Sequence, residues 1–170
     1  TMAVFINGRD LTVEEVIRVC RNNEEVQLTE EAVAAVKKAR AYIEKKLEEK
    51  AVIYGLTTGF GKFANVVIDN DQTEQLQRNL IISHTCAMGN PYPVHYVRAA
   101  MLLRCNALAR GNSGIRLETL QTLLDMLNKG VHPIIPEKGS LGASGDLAPL
   151  SHIAPGLIGE GKVEYKGEVV

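Results

Sequence analysis

The chain has 170 residues, long enough for one domain with a real core, and its 45% hydrophobic and 23% charged residues describe a folded protein, not a disordered one. A formal net charge of −1, with no basic block and no tryptophan, excludes a nucleic-acid partner or a membrane surface as its main business. Three widely spaced cysteines (Cys20, Cys86 and Cys105) without a CxxC spacing predict reduced thiols and a cytoplasmic setting, not a disulfide framework or a zinc site.

Charges interrupt every apolar stretch well short of a membrane span, and the first residues do not read as a secretory leader. Residues 3–7 (AVFIN) form a short β-prone run closed by Gly8-Arg9. Thr12 and Glu15 stand in capping-box spacing, which starts a helix running to about Asn22. Thr29 starts a second helix, with Glu30 and Glu31 in the turn where the helix dipole favours acids. Its apolar positions Val33, Val36, Ala39, Ile43 and Leu47 define a buried face up to about Lys50, and Lys45, Lys46, Glu48 and Glu49 a wet one.

Residues 51–64 (AVIYGLTTGFGKFA) begin as a strand around Val52 and pass into a loop with glycines at 55, 59 and 61. Gly59 to Ala64 formally fits G-x-G-x-x-A, but no acidic residue follows at about 20 positions to hold a ribose. The Walker pattern fails because position 56 is Leu and Lys62 precedes Phe63. On its own the segment reads as a glycine loop crossing close to another backbone.

A helix opens at Asp71 or Gln72 and runs through Leu76 and Leu80 to about Ala87, carrying Asn79-Leu80-Ile81-Ile82-Ser83-His84. After Pro91 and Pro93, a helix from Val94 to Ala109 buries Val97, Met101, Leu102, Cys105 and Leu108. Gly111 to Arg116 is a turn, Leu117 to Asn128 an amphipathic helix, and Gly130 its C-cap. His132 to Glu137 is extended, Leu147 to Ala154 a short helix, and residues 159–170 a hairpin turning near Lys166-Gly167. His95, His132 and His152 share no ligand spacing, so no metal site is expected. The whole is a mainly α domain with short strands near Val4, Val52 and Val163.

The densest turn chemistry lies in GSLGASGDLAP, from Gly139 to Pro149. Its centre, Ala143-Ser144-Gly145, allows an internal reaction besides the ordinary reading as a turn. In a tightly bent backbone the Gly145 amide nitrogen can attack the Ala143 carbonyl carbon, and loss of water closes a five-membered ring. Loss of the Ser144 hydroxyl as a second water leaves an exocyclic methylene. The product, a methylidene-imidazolone, is a strong electrophile. A serine hydrolase built on Ser144 is the poorer reading, because the G-x-S-x-G elbow spacing is absent.

Three segments carry a family resemblance. GSLGASGDLAPLSH (Gly139 to His152) resembles the prosthetic-group segment of the aromatic amino acid ammonia-lyases. YGLTTGFG (Tyr54 to Gly61) resembles their YG-x-x-TGFG motif, and Asn79 to His84 their N-L-x-x-S-H segment. The resemblance implies the N-terminal domain of an L-aspartase/fumarase-like ammonia-lyase fold, with the ring formed from Ala143-Ser144-Gly145 as its only cofactor and no metal. It also implies Tyr54 as catalytic base, Asp146 as a loop-positioning residue, and Ser83-His84 as the pair facing the substrate side chain. A Ser-His pair is similar to that of histidine-specific members, which convert L-histidine to trans-urocanate and ammonia by β-elimination; some tyrosine aminomutases share it. Tyrosine or phenylalanine lyases and aminomutases of the family are the alternatives. Gly111 to Arg116 is similar to the family's structural G-x-SG-x-R turn.

The resemblance spans nearly all of the chain but only about the first third of a family member. Residues 1–170 are expected to be a single domain, with the central helical bundle of the family's homotetramer absent. The expected partners are a small amino acid and further lyase chains, and the chain alone is expected to be inactive. A non-catalytic truncated paralogue that binds lyase chains is the rival from another class.

Overall fold

A computed structural model describes residues 3–59, 62, 66–67, 72–142 and 147–170. Strands β1 (Val4–Ile6) and β2 (Val26–Leu28) lie parallel, Val4 opposite Val26, on either side in sequence of helix α1 (Val13–Asn22). The capping box at the start of α1 forms: Thr12 Oγ1 accepts from the Glu15 N–H at 3.2 Å, and the Glu15 carboxylate accepts from the Thr12 N–H at 2.9 Å. Strand β2 has no sequence signal beyond Val26 and Leu28. It exists because both residues turn to the core and the β1 edge pairs with it.

Helix α2 (Glu30–Glu48) is capped by the Thr29 hydroxyl, which accepts from the Ala32 N–H at 3.1 Å. Of its expected face only Val36 is fully buried, together with Ala32; Ile43 and Leu47 are half-covered. The strand expected around Val52 does not form. Residues 54–57 are a turn with Gly55 at φ +72°, and Thr57 takes up the local backbone groups that a ladder would need. An isolated antiparallel bridge joins Thr58 to Val67.

Helix α3 (Thr73–His84) stops three residues short of the expected Ala87, where the Thr85 hydroxyl donates to the Ile81 carbonyl at 2.7 Å and closes the last turn. Strand β3 (Met88–Pro91) follows, a feature that its residues do not announce. Helices α4 (Val94–Ala109) and α5 (Leu117–Lys129) form the centre of the domain. Met101, Leu102 and Cys105 of α4 and Leu120, Leu124 and Leu127 of α5 are fully buried. Each buried leucine contributes about 1.5–3 kcal/mol relative to exposure, so this pair holds the domain together. Gly130 at φ +70° ends α5 in the left-handed conformation, as expected. The turn between the two helices seats directly on α2: a side chain at Gly111, φ +75°, would begin 2.7 Å from the backbone carbonyl carbon of Ala35.

The extended segment after α5 supplies two strands, β4 (Val131–Pro133) and β5 (Pro136–Lys138). Strand β5 pairs antiparallel with β3, Met88 opposite Lys138. The single short helix expected after the glycine-rich loop is two, α6 (Leu147–Ser151) and α7 (Ala154–Leu157). Strands β6 (Val163–Tyr165) and β7 (Glu168–Val169) form the expected hairpin, with Lys166 and Gly167 both at positive φ in its two-residue loop. This hairpin adds to β4, making a three-stranded sheet.

An ionic network lies at the junction of these elements. The Arg98 guanidinium, 2% exposed, donates twice to the Val19 carbonyl of α1, at 3.1 and 2.9 Å, and once to the Leu127 carbonyl of α5, at 2.8 Å. It also lies 3.1 Å from Nε2 of His132, whose Nδ1 is 2.8 Å from the Glu164 carboxylate. Arg98 has only protons to give, so Nε2 accepts and the His132 proton sits on Nδ1. Among the described residues no helix is long and apolar enough to cross a membrane, and no group of three or more His, Cys, Asp or Glu could hold a metal ion.

Candidate active site

Three segments far apart in sequence border one cavity of about 670 Å³. Tyr54 reaches it from the turn before the glycine loop, His84 from the end of α3, and Leu147 from the start of α6. Leucines 80, 108, 123 and 150 make its walls predominantly apolar, and Arg104 stands at its side.

The turn carrying Tyr54 is built by two threonines. Thr57 Oγ1 accepts from the Ile53 N–H at 2.9 Å and donates to the Ala51 carbonyl at 3.0 Å. Thr58, 1% exposed, accepts from the Gly55 N–H at 3.1 Å and donates to the Gly59 carbonyl at 3.0 Å. Buried hydroxyls satisfied on both sides fix the backbone on which the tyrosine stands. Tyr54 as a whole is 63% exposed.

His84 is fixed by its own helix. Its Nδ1 lies 2.8 Å from the Leu80 carbonyl, which can only accept, so Nδ1 carries the proton and Nε2 of the neutral ring is left as an acceptor. Ser83 Oγ donates to the same carbonyl at 2.9 Å and lies 3.1 Å from His84 Nδ1. Ser83 therefore braces His84, and of the pair only His84 borders the cavity.

Ala143, Ser144, Gly145 and Asp146 lie outside the described residues; the two flanks of their loop do not. A side chain on Gly139 would begin 2.7 Å from Cβ of Ala87 and 3.6 Å from Cβ of Ala148, so the loop leaves and re-enters the domain at one point. Gly142, at φ +68°, has no atom of the described residues near its missing side chain, and its N–H donates to Ser140 Oγ at 3.2 Å. On the other flank the Ser151 hydroxyl donates to the Ala148 carbonyl at 2.8 Å. His152 is partly buried, which pushes its pKa below the ordinary histidine value.

Tyr54, His84 and Leu147 come from segments that the sequence singled out, and they border one cavity. Sequence reasoning missed Thr57 and Thr58, which read as loop residues, and Arg104, one of two arginines on a largely apolar helix.

A domain in which a tyrosine turn, a histidine at a helix end and the flank of a glycine-rich loop border one apolar cavity fits a recognised class. The profile of the aromatic amino acid lyases matches residues 11–170, and the chain belongs to that family. The histidine ammonia-lyase of Alkaliphilus oremlandii is 59% identical over 97% of the chain, which corresponds to 32% of that enzyme. Among solved structures, ergothionase from Treponema denticola superposes with a TM-score of 0.95 at 37% identity over 99% of the chain and 34% of its own length. Tyrosine aminomutase from Streptomyces globisporus superposes with a TM-score of 0.93 at 41% identity, over 99% of the chain and 32% of its own. The chain thus spans about a third of the length of the relatives it matches.

Proposed function

We propose that the chain is the N-terminal, prosthetic-group-bearing domain of a lyase that converts L-histidine to trans-urocanate and ammonia. The observation that carries this reading is the meeting of Tyr54, His84 and the flank of the 140–146 loop at one cavity.

The prosthetic group would be a methylidene-imidazolone made from Ala143, Ser144 and Gly145. The residues suit it: small neighbours on both sides of the serine, and a loop whose ends are pinched together at Gly139 and Ala148. When formed, the group supplies an electrophilic methylidene that holds the substrate amine and makes it a leaving group. Everything else falls to side chains. The phenol oxygen of Tyr54 takes the β-proton, and Asp146 steadies the loop. His84 Nε2 accepts a hydrogen bond from the substrate imidazole N–H, a donor that phenylalanine lacks. Tyrosine does carry a donor, which keeps a tyrosine-specific lyase or aminomutase as the second reading. The higher identity to a histidine ammonia-lyase, 59% against 41% for the tyrosine aminomutase, favours histidine.

The remaining two-thirds of a family member would supply the helical bundle of a cytoplasmic homotetramer and the rest of each site. The chain alone is then inactive. The test is urocanate formation, followed by absorbance, from the complete polypeptide that carries this chain and from residues 1–170 alone. Urocanate from the complete enzyme, abolished by Tyr54→Phe, supports the proposal. Equal turnover of histidine by the two proteins removes the claim of an incomplete site, and turnover of tyrosine but not histidine removes the substrate assignment.

A further inference from the structure

Ala87 brings the segment that carries His84 against the flank of the glycine-rich loop at Gly139. It lies three positions after His84, and the chain between them is held by Cys86, whose N–H donates to the His84 carbonyl at 3.0 Å. Its methyl group fills the space where Gly139 has no side chain. Ala87 and Gly139 stand one step beyond Met88 and Lys138, the last residues paired between β3 and β5. At that step the Ala87 N–H donates to Nε2 of His152, at 3.1 Å.

We propose that His152 is a positioning residue: by accepting the Ala87 N–H it holds the His84 segment and the flanks of the 140–146 loop in one register. The inference rests on the lyase reading of this cavity and adds to it a residue that acts through the Ala87 backbone. Helix α6 has five residues, too few to hold its own place by helical hydrogen bonds. A side-chain bond from the residue directly after it supplies the missing tie. The tie needs the neutral ring, with its proton on Nδ1, because a protonated Nε2 would meet the Ala87 N–H donor to donor. Partial burial favours that neutral form. Ser151 makes the complementary contact inside α6, so Ala148, against which Gly139 lies, is held from both sides.

The test uses the complete polypeptide with His152→Leu and His152→Gln. Glutamine carries an acceptor oxygen at the reach of Nε2; leucine fills the space without one. Four quantities are read: hydrogen exchange at the Ala87 amide, the fraction of chains lighter by two waters, and kcat and KM for histidine. In His152→Leu the Ala87 amide exchanges at least about tenfold faster, the dehydrated fraction falls with kcat, and KM rises by about tenfold, the scale of one lost hydrogen bond. His152→Gln restores exchange, mass and KM together, which a space-filling role could not produce. Native values in His152→Leu, or a glutamine variant no better than leucine, overturn the proposal. If His152→Leu fails to fold, wild-type exchange decides: an Ala87 amide as open as in a free peptide refutes the contact. Failure of the lyase reading shows separately, as wild-type protein that neither loses two waters nor forms urocanate, while the amide exchange still reports on His152.

Discussion

Arg98→Met separates a structural charge from a decorative one. The guanidinium serves three buried acceptors: the Val19 carbonyl at the end of α1, the Leu127 carbonyl at the end of α5, and Nε2 of His132. Each acceptor stripped of its donor costs about 1–3 kcal/mol when water cannot replace it. Helix-end carbonyls relax more easily than mid-helix ones, and methionine spares the desolvation of a cation, which burial already makes unfavourable enough to lower the Arg98 pKa. The low end of the range applies, so the net loss is about 3 kcal/mol, roughly a hundredfold in the folding constant and about 6–12 °C in Tm. Urea denaturation of the wild type and variant, read by circular dichroism at one pH, measures it. Arg98→Lys is expected to fall between them, because an ammonium keeps the charge but cannot reach both helix ends at once. A midpoint shift worth less than about 1 kcal/mol in Arg98→Met would refute the idea that this residue ties the helix ends together.

The hydrogen bond from His132 holds the Glu164 carboxyl below the usual glutamate range, helped by the Gly167 N–H. A depressed carboxyl stabilises the fold above its unfolded value near 4.5 and loses that contribution as pH falls through its folded value. The stability gap between wild type and Glu164→Gln, measured by urea titration, should therefore be present at pH 6 and shrink below about pH 4; a gap independent of pH argues against the pair. His152 follows the same sign: its depressed pKa adds stability above about 6.5 that disappears as pH falls through the folded value. Thermal melts of wild type should fall over that window more steeply than those of His152→Gln, and parallel curves would count against it. Gly111→Ala forces a Cβ into the Ala35 backbone at a positive φ, and a loss of at least about 2 kcal/mol is expected in the same urea assay. Burial raises the Cys20 pKa and pushes that of Cys105 up to about 12, whereas Cys86 is exposed; iodoacetamide should label Cys86 alone in the native protein, and fast labelling of Cys105 would contradict the packing of α4.

What the sequence announced were local devices with one chemical solution. The Thr12–Glu15 box, the glycine after α5 and the two positive-φ residues of the last hairpin each satisfy nearby backbone groups, so a short window suffices to see them. Strands β2 and β3 were not legible because three or four residues such as Met88-Gly-Asn-Pro91 have little intrinsic preference and become strands only when a distant edge is presented. The stretch around Val52 shows the converse: β-branched residues with no partner edge stay irregular, and Thr57 and Thr58 claim the backbone. Arg98 escaped notice because a charge on an apolar helix is ordinarily read as its wet side. Tyr54 and His84 were legible as motif residues, but nothing local joins them to Leu147; α3, α4 and α6 must pack before a cavity exists.

The exposure of that cavity bears on what the domain can do by itself. Tyr54 is 63% exposed and Leu147 50%, so the face that carries the proposed base is wet and apolar at once. A β-proton is barely acidic, and a base that removes it depends on fixed dipoles and on the exclusion of water. Among the described residues the cavity is walled largely by leucines, and Tyr54 at its edge is exposed. The threonine turn beneath Tyr54 and the bond that fixes the His84 tautomer orient these groups, which is the part of catalysis a scaffold can prepare in advance. In the function proposed above, closure would come from the remainder of a family member, since the chain spans only about a third of the relatives it matches. Orientation built into one domain and desolvation brought by another would make the site active only on assembly, shielding a reactive loop until its substrate pocket is complete.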